Sequence, residues 1–220
     1  MSRFLLVHDG HPMAGSLVQA LASAGATPDL VNWRSAGDNE LRATLQAAAE
    51  GVAQGGAAST QVVLLAGASL PMGDGIGRDS TPAAGGTAAV PWLEGLAETP
   101  LLALGRVSGW LAAALGAGEG PSLRPSHGHI VPVRHSSVGL LAGLPSPLPV
   151  MRYDSVLPRN LPPHLAAEAW SEEGDILAWR HRHRPWWGIS FHPESLFAGA
   201  SRDLLTHLVE RGKEAFHAAP

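Results

Sequence analysis

Short apolar runs alternate with segments of helical periodicity in the first half of the chain. The runs at residues 4–7, 29–31, 61–65 and 101–104 predict strands that are buried on both faces, as in a parallel sheet. Apolar side chains recur every three or four positions at residues 15–24, 39–54 and 110–115, which predicts helices. Gly25 and Gly116 end the first and the last of these helices. Repeated strand and helix units of this kind are typical of an α/β fold.

The second half of the chain has shorter apolar runs, separated by proline and glycine. Antiparallel strands are predicted at residues 130–133, 150–153, 168–170, 176–179 and 188–191. An amphipathic helix is predicted at residues 202–216, and the glycine-rich stretches 51–58 and 72–86 are predicted to be mobile surface loops. We therefore predict a single α/β domain over residues 1–220, with a mostly parallel central sheet, flanking helices and appended antiparallel strands.

Composition narrows the classes of function. The chain has 15 Lys and Arg against 19 Asp and Glu, a formal charge of -4, so we expect no nucleic-acid partner and no anionic membrane surface. Its apolar runs are too short for a membrane span or a signal peptide, which predicts a soluble cytoplasmic protein. The absence of cysteine excludes disulfides, cysteine-ligated zinc and every thiolate nucleophile.

A histidine and a glutamate stand two positions apart at the end of the last predicted strand, in the segment Gly188-Ile-Ser-Phe-His-Pro-Glu-Ser195. His192 and Glu194 can act as a base and the carboxylate that orients it, for a nucleophile elsewhere in the fold. Alternatively, they are two polar side chains that fix a turn between a strand and a helix. An upstream segment, residues 100–116, predicts a strand, a tight turn at Gly105 and a helix.

Several segments, in this order along the chain, resemble class I glutamine amidotransferases. Residues 65–69 resemble the family's oxyanion loop, and residues 100–116 resemble its nucleophile elbow. His127-Gly-His129 is similar to its His-Gly-Lys element, and Arg152-Tyr-Asp-Ser-Val156 is similar to the Arg-Tyr-His-Ser-Leu element of its chorismate-linked branch. The resemblance extends from Phe4 to Val209.

This resemblance implies the glutaminase subunit of an anthranilate synthase or a 4-amino-4-deoxychorismate synthase. It implies a chorismate-utilising synthase subunit as partner and no metal or other cofactor. His192 and Glu194 would be the retained triad positions, and Gly67 and Ser155 would be glutamine-binding positions.

The sequence departs from the family at the residue that carries the chemistry. Where the family has its nucleophilic cysteine, this chain has Gly105, which has no side chain to attack an amide or form a thioester. Ser69 replaces a glycine of the oxyanion loop, and Asp154 replaces the histidine of the Arg-Tyr-His-Ser-Leu element. We therefore predict that glutamine hydrolysis is absent and that the chain acts as a structural or regulatory subunit. A homodimer would be a second way to cover the surface that faces the partner.

Other functions remain open at this point. A free-standing hydrolase would use Ser108 with His192 and Glu194, although Ser108 lies nearly one helical turn beyond Gly105. Asp154 is a second candidate for a repurposed pocket. A module that binds an amino acid without cleaving it would use Gly67 and Ser155.

Two further motifs have weaker chemical interpretations. His181 and His183 alternate with arginines, and a solvated basic hairpin is favoured over a zinc site because the neighbouring Arg charges repel a cation. The glycines at 73, 75 and 77 have the spacing of a phosphate loop, but they neither directly follow a predicted strand nor open a predicted helix.

Overall fold

The structure is a computed structural model that describes residues 3–54, 60–67, 91–197 and 199–217. The strands are β1 (Arg3–His8), β2 (Asp29–Asn32), β3 (Thr60–Ala66), β4 (Leu101–Leu104), β5 (Gly118–Pro121), β6 (His129–His135), β7 (Leu148–Arg152), β8 (Val156–Arg159), β9 (Leu165–Trp170), β10 (Ile176–His181) and β11 (Trp186–Ile189). The α-helices are α1 (Met13–Ser23), α2 (Trp33–Gln54), α3 (Arg106–Ala114) and α4 (Asp203–Arg211). Short 3-10 helices span Pro91–Leu96, Gly139–Leu141, Gly199–Arg202 and Gly212–Phe216.

The described strands form one large mixed sheet and one small one. The large sheet has the order β2-β1-β3-β4-β11-β10-β9-β6-β7. Its first five strands in that order run parallel, and each later pairing is antiparallel. The predicted α/β fold, a parallel core with flanking helices and appended antiparallel strands, is confirmed.

The last strand corrects one detail of that prediction. Residues 188–191 are predicted as an antiparallel strand, but β11 pairs in parallel with β4 and is antiparallel only to β10. All four residues of β11 are buried, as expected for a strand inside a sheet that is covered on both faces. The two-stranded sheet of β5 and β8 is also new, because Gly118–Pro121 has no apolar alternation to reveal it.

Two apolar clusters cover the two faces of the large sheet. Neighbouring side chains of a strand point to opposite faces, so Phe4 and Leu6 enter one cluster while Leu5 and Val7 enter the other. Leu17 of α1 and Leu204, Leu205 and Leu208 of α4 pack in the first cluster. Leu41 and Leu45 of α2 and Val107, Trp110 and Leu111 of α3 pack in the second. The sheet is therefore the middle of three layers, with helices on both sides.

Glycines account for most of the differences in the helix boundaries. α2 begins at Trp33 rather than at residue 39, and Gly37, with φ 76° and ψ 166°, interrupts its first turns. α4 ends at Arg211 because Gly212 takes φ 54°, and the remainder of the predicted C-terminal helix is the 3-10 helix Gly212–Phe216. Residues 51–54, where the predicted helix 39–54 and the predicted loop 51–58 overlap, belong to α2. The predicted loops at 55–58 and 72–86 and the glycines at 73, 75 and 77 lie outside the described residues.

Within the described ranges, the helices are all too short or too polar to cross a membrane.

Candidate functional site

The candidate site lies where the parallel strands β3, β4 and β11 end. Gly67 follows β3, Gly105 follows β4, and His192 comes shortly after β11. The carboxyl ends of parallel strands meet at one edge of a sheet, which is where ligands bind in open α/β folds. A cavity of about 310 Å³ opens at this edge, and its lining includes Gly67 and His192 together with Arg106, Tyr153 and Asp154.

Gly105 forms the sharp turn between β4 and α3. Its backbone has φ 62° and ψ -133°, a conformation that side-chain-bearing residues rarely adopt. Its amide donates to the carbonyl of Ile189 over 2.8 Å, and its own carbonyl accepts from the amide of Ser108 over 3.0 Å. The turn is thus anchored at both ends, and α3 begins directly after it. The predicted helix start at residue 110 is four residues too late.

The ring of His192 occupies the space that a side chain at position 105 would need. A Cβ atom on Gly105 would lie 2.6 Å from Cε1 and 2.8 Å from Nε2 of His192. Both distances are well inside van der Waals contact, so any larger residue at position 105 would have to displace the imidazole. The structure therefore brings Gly105 and His192 together, in an arrangement that leaves no room for a nucleophile between them.

Two carboxylates flank the His192 imidazole. Its Nδ1 hydrogen-bonds Oε1 of Glu194 over 2.7 Å, and its Nε2 lies 3.7 Å from Oδ2 of Asp154. Burial alone would lower the pKa of His192, but Asp154 and Glu194 favour the charged form by more and raise that pKa to about 9. His192 is therefore an imidazolium at neutral pH. An imidazolium has no free lone pair and cannot accept a proton as a general base.

Aromatic rings close one side of this group. The Tyr153 ring packs edge-on against His192, with ring centroids 5.1 Å apart, and His127 packs edge-on against Tyr153 at 5.3 Å. Nδ1 of His127 also lies 2.9 Å from the carbonyl oxygen of Tyr153, which orients the imidazole. These contacts hold the turn after β7 against the His192 ring.

A buried arginine, Arg152, contacts the backbone of Asp154. Arg152 is 1% exposed, and its Nη2 donates to the carbonyl of Asp154 over 3.3 Å and to Oγ of Ser122 over 3.2 Å. The Ser122 hydroxyl in turn donates to Asp175 over 2.5 Å. This chain of polar contacts fixes the backbone that presents Asp154 to His192.

A second ion pair lies at the first turn of α3. Nη1 of Arg106 contacts Oε1 of Glu119 on β5 over 2.7 Å, and the Arg106 guanidinium lies 5.7 Å from the Trp110 ring. Arg106 lines the cavity, so a paired cation stands on the α3 side of the site. The sequence offers no signal for this pair, because Arg106 and Glu119 stand at opposite ends of α3 and Glu119 belongs to a small sheet that was not predicted.

The remaining candidate residues do not all reach the cavity. Ser108 is fully buried and accepts a hydrogen bond from the indole of Trp179 over 3.1 Å, and it is not among the lining residues. Ser155 is exposed and also lies outside the lining, with its carbonyl accepting from the amide of Ser122. Gly67 lines the cavity with φ 138°, and a Cβ there would collide with the carboxylate of Asp9.

Metal ligation finds no support among the described residues, where no three His, Asp or Glu side chains gather closely enough to hold an ion. His181 and His183 pack against each other with ring centroids 6.1 Å apart, at the turn that connects β10 and β11.

The fold and the site together define a class of protein. A glycine turn between a strand and a helix faces a buried histidine and glutamate pair that follows the last parallel strand, as in α/β proteins of the amidotransferase type. The chain belongs to the class I glutamine amidotransferase family, whose model matches residues 75–209.

Known proteins extend this relationship over most of the chain. An anthranilate synthase component 2 from Mycobacterium tuberculosis is 30% identical over 207 residues, covering 93% of this chain and 80% of that protein. An aminodeoxychorismate synthase from Streptomyces griseus is 46% identical over 110 residues, 49% of this chain, but the matched part is only 15% of its own length. A crystal structure of a glutamine amidotransferase from Thermotoga maritima superposes with a TM-score of 0.60 at 16% identity, covering 96% of this chain and 84% of that one, which supports the fold.

Proposed function

We propose that this chain is a glutamine amidotransferase-type subunit that does not hydrolyse glutamine and instead binds a chorismate-utilising synthase subunit. The observation that carries the proposal is the turn at Gly105, which has no side chain and whose missing Cβ would lie 2.6 Å from the His192 ring. The family's chemistry needs a cysteine at this turn, and the chain has no cysteine anywhere.

The size of the loss argues against residual glutaminase activity. Removing the nucleophile of a catalytic triad costs roughly six orders of magnitude in kcat, and removing one oxyanion donor costs about 3 kcal/mol of barrier. The proposed site lacks the nucleophile, and Ser69 stands where the family's oxyanion loop has a glycine. His192 adds a further obstacle, since an imidazolium held between two carboxylates cannot activate a nucleophile.

The charged group at the site is better suited to a structural role. His192 joins the turn after β11, through Glu194, to the turn after β7, through Asp154. A buried imidazolium between two carboxylates holds these two turns together at the carboxyl edge of the sheet. In a subunit whose use is binding, this edge would serve as a fixed surface rather than as a reaction centre.

Exposed apolar side chains beside the site support a protein partner there. Leu196 and Phe197 follow the turn of His192 and Glu194 directly, and they are 77% and 69% exposed. Two large apolar side chains left in water at the rim of a site are typical of a surface that a partner covers. Relatives named as component 2 of anthranilate and aminodeoxychorismate synthases support a synthase subunit as that partner.

The test combines activity with partner binding. Glutamate release from glutamine is measured for the purified chain, alone and mixed with a chorismate-utilising synthase subunit, and the complex is sought by size exclusion with light scattering. We expect no release in either mixture and a heteromeric complex. Release in either mixture would overturn the loss of catalysis. A chain that elutes as a homodimer and does not bind the synthase subunit would overturn the proposed partner role.

Paired variants locate the binding surface. Leu196→Asp and Phe197→Asp should each weaken the complex at least tenfold, because each places a charge in the covered rim. Leu30→Asp is the matched control, since Leu30 is 53% exposed but lies on the edge strand β2, which β1 separates from the strands that end at the site. Equal effects of the three variants would contradict docking at the site edge.

One observation favours a second candidate, an amino-acid-binding module without catalysis. The cavity is retained, and Oδ2 of Asp154, although it faces Nε2 of His192 at 3.7 Å, is buried there without a hydrogen bond to any described residue. Such a carboxylate oxygen would accept a hydrogen bond from the ammonium group of an amino acid. Calorimetric titration with glutamine tests this function, with Asp154→Asn as the variant; the absence of heat at millimolar glutamine would exclude it.

A further inference from the structure

A second cavity lies at the opposite end of β4 and β11 from the candidate site. It has a volume of about 420 Å³ and is bounded by the turn between β10 and β11, the residues just before β4 and the 3-10 helix Gly212–Phe216. Its lining includes Arg180, His181, Arg182, His183, Arg184 and Lys213. The proposed function uses none of these residues, although the alternation of His and Arg is the densest run of basic side chains in the sequence.

The cavity has an excess of positive charge. Arg180 is neutralised by Glu168, with Nε and Oε1 2.6 Å apart. Within the described residues, no carboxylate lies within ion-pair distance of Arg182, Arg184 or Lys213, and Glu98 is the acidic side chain in the lining. Arg182, Arg184 and Lys213 thus outnumber the Glu98 carboxylate on one concave surface, and this excess of positive charge attracts anions.

Arg184 points most directly to a missing ligand. Its guanidinium lies 4.6 Å from the centroid of the Trp186 ring, and this cation–π contact orients the guanidinium plane. Its Nη1 is buried and has no hydrogen-bond partner in the described part of the chain. Charges withdrawn from water are nearly always paired, so a guanidinium that lines a cavity without a counter-charge favours an anion there.

The turn around Arg184 is held in place before any ligand binds. The backbone amides of His183 and Arg184 donate to Nδ1 of His181 over 3.1 and 3.0 Å. Burial and the nearby charges of Arg184 and the neighbouring histidines lower the pKa of His181 to about 4, so its ring is neutral at pH 7. The neutral His181 ring therefore holds the turn by accepting two backbone hydrogen bonds, and the charged groups of Arg182 and Arg184 remain available to bind an anion.

The geometry leads us to propose that this cavity binds a small multivalent anion of the phosphate class, such as a phosphomonoester or a diphosphate. Guanidinium forks match phosphate oxygens in pairs, and a lysine adds a point charge. A volume of about 420 Å³ suits a small molecule rather than a polymer. The overall charge of -4 disfavours the extended phosphate contacts of a nucleic acid.

Calorimetric titration of the full chain with inorganic pyrophosphate at pH 7 and low salt tests the proposal. We expect saturable binding of one pyrophosphate per chain, weaker binding of orthophosphate and none of acetate. Arg184→Gln and Lys213→Gln should each weaken pyrophosphate at least tenfold, as expected for loss of one charge-assisted contact. Lys213 is exposed, so its variant keeps the test valid if Arg184→Gln does not fold.

Arg124→Gln is the matched control, because it removes the same charge from an arginine whose side chain is 76% exposed and which lines a different cavity. It should leave pyrophosphate affinity within twofold. No saturable heat, or equal losses in all three variants, would overturn the proposal. If a short DNA duplex bound more tightly than pyrophosphate, the ligand of this cavity would be a nucleic acid, and the proposal of a small anion would be overturned. Neither glutamine nor a synthase enters this experiment, so its result is independent of the proposed function.

Discussion

Replacing Gly105 with alanine tests whether the turn after β4 has lost its capacity to hold a side chain. The substitution adds a single methyl group at φ 62°, with the new Cβ 2.6 Å from Cε1 of His192. Two costs follow. The backbone conformation, with φ 62° and ψ -133°, costs about 1–3 kcal/mol for a residue with a Cβ, and the collision with a buried ring costs about 1–3 kcal/mol as overpacking. We expect the free energy of unfolding to fall by about 2–6 kcal/mol.

Gly25→Ala separates the two costs. Gly25 ends α1 with φ 91° and has no atom within 4 Å of the place its Cβ would take, so its variant carries only the backbone cost. Both variants share the small gain of about 0.4–1 kcal/mol from a less flexible unfolded chain. Urea denaturation of the two variants, followed by tryptophan fluorescence, should show Gly105→Ala to be less stable by about 1–3 kcal/mol. Equal stabilities would show that His192 does not occupy this space and would refute the reasoning.

Three further variants test the polar groups around the site. The pKa of His192 is about 9 in the folded chain, above the unfolded value of about 6.5, so its contribution to stability is complete below pH 6.5 and is lost as the pH rises through 9. The free energy of unfolding of the natural chain should therefore decline between pH 6 and pH 9.5, and that of His192→Gln should lack this decline. Ser108→Ala should lower the free energy of unfolding by about 1–3 kcal/mol, since it leaves the buried Trp179 indole without its acceptor. A hydrolytic activity that the natural chain shows and this variant lacks would contradict that structural role. Asp175→Ala should lower the free energy of unfolding by about 3 kcal/mol or more, because the buried carboxylate pairs with Arg159 at 3.4 Å and accepts from Ser122. Thermal unfolding with a loss below about 1 kcal/mol would show that this network is dispensable.

Hydrophobic patterning was sufficient for most of the sheet and its flanking helices. The runs at Phe4–Val7 and Leu101–Leu104 are buried β-strands because both neighbours and both covering layers are apolar, which produces a continuous run. The same signal recovered β11 but not its direction. Parallel and antiparallel neighbours demand similar side chains when both faces are buried, so the pairing of β11 with β4 depends on topology rather than on local pattern.

Long-range polar contacts were the part that the sequence could not supply. The motif around His192 was visible, and so was Gly105, but the approach of His192 to the missing Cβ and to Asp154 depends on the packing of three separate turns. The burial of Ser108 against Trp179 likewise joins residues 71 positions apart. Single-sequence patterns report which face of an element is buried, not which partner lies across the sheet.

The central claim is the absence of glutamine hydrolysis, and the most direct measurement is glutamate release by the purified chain in the presence of a chorismate-utilising synthase subunit. Gly105→Cys is assayed beside it, because restoring the thiol also requires the His192 ring to move away. We expect no release by the natural chain and little or none by the variant. Sustained release by the natural chain, proportional to its concentration, would mean that another group attacks glutamine and would contradict the account.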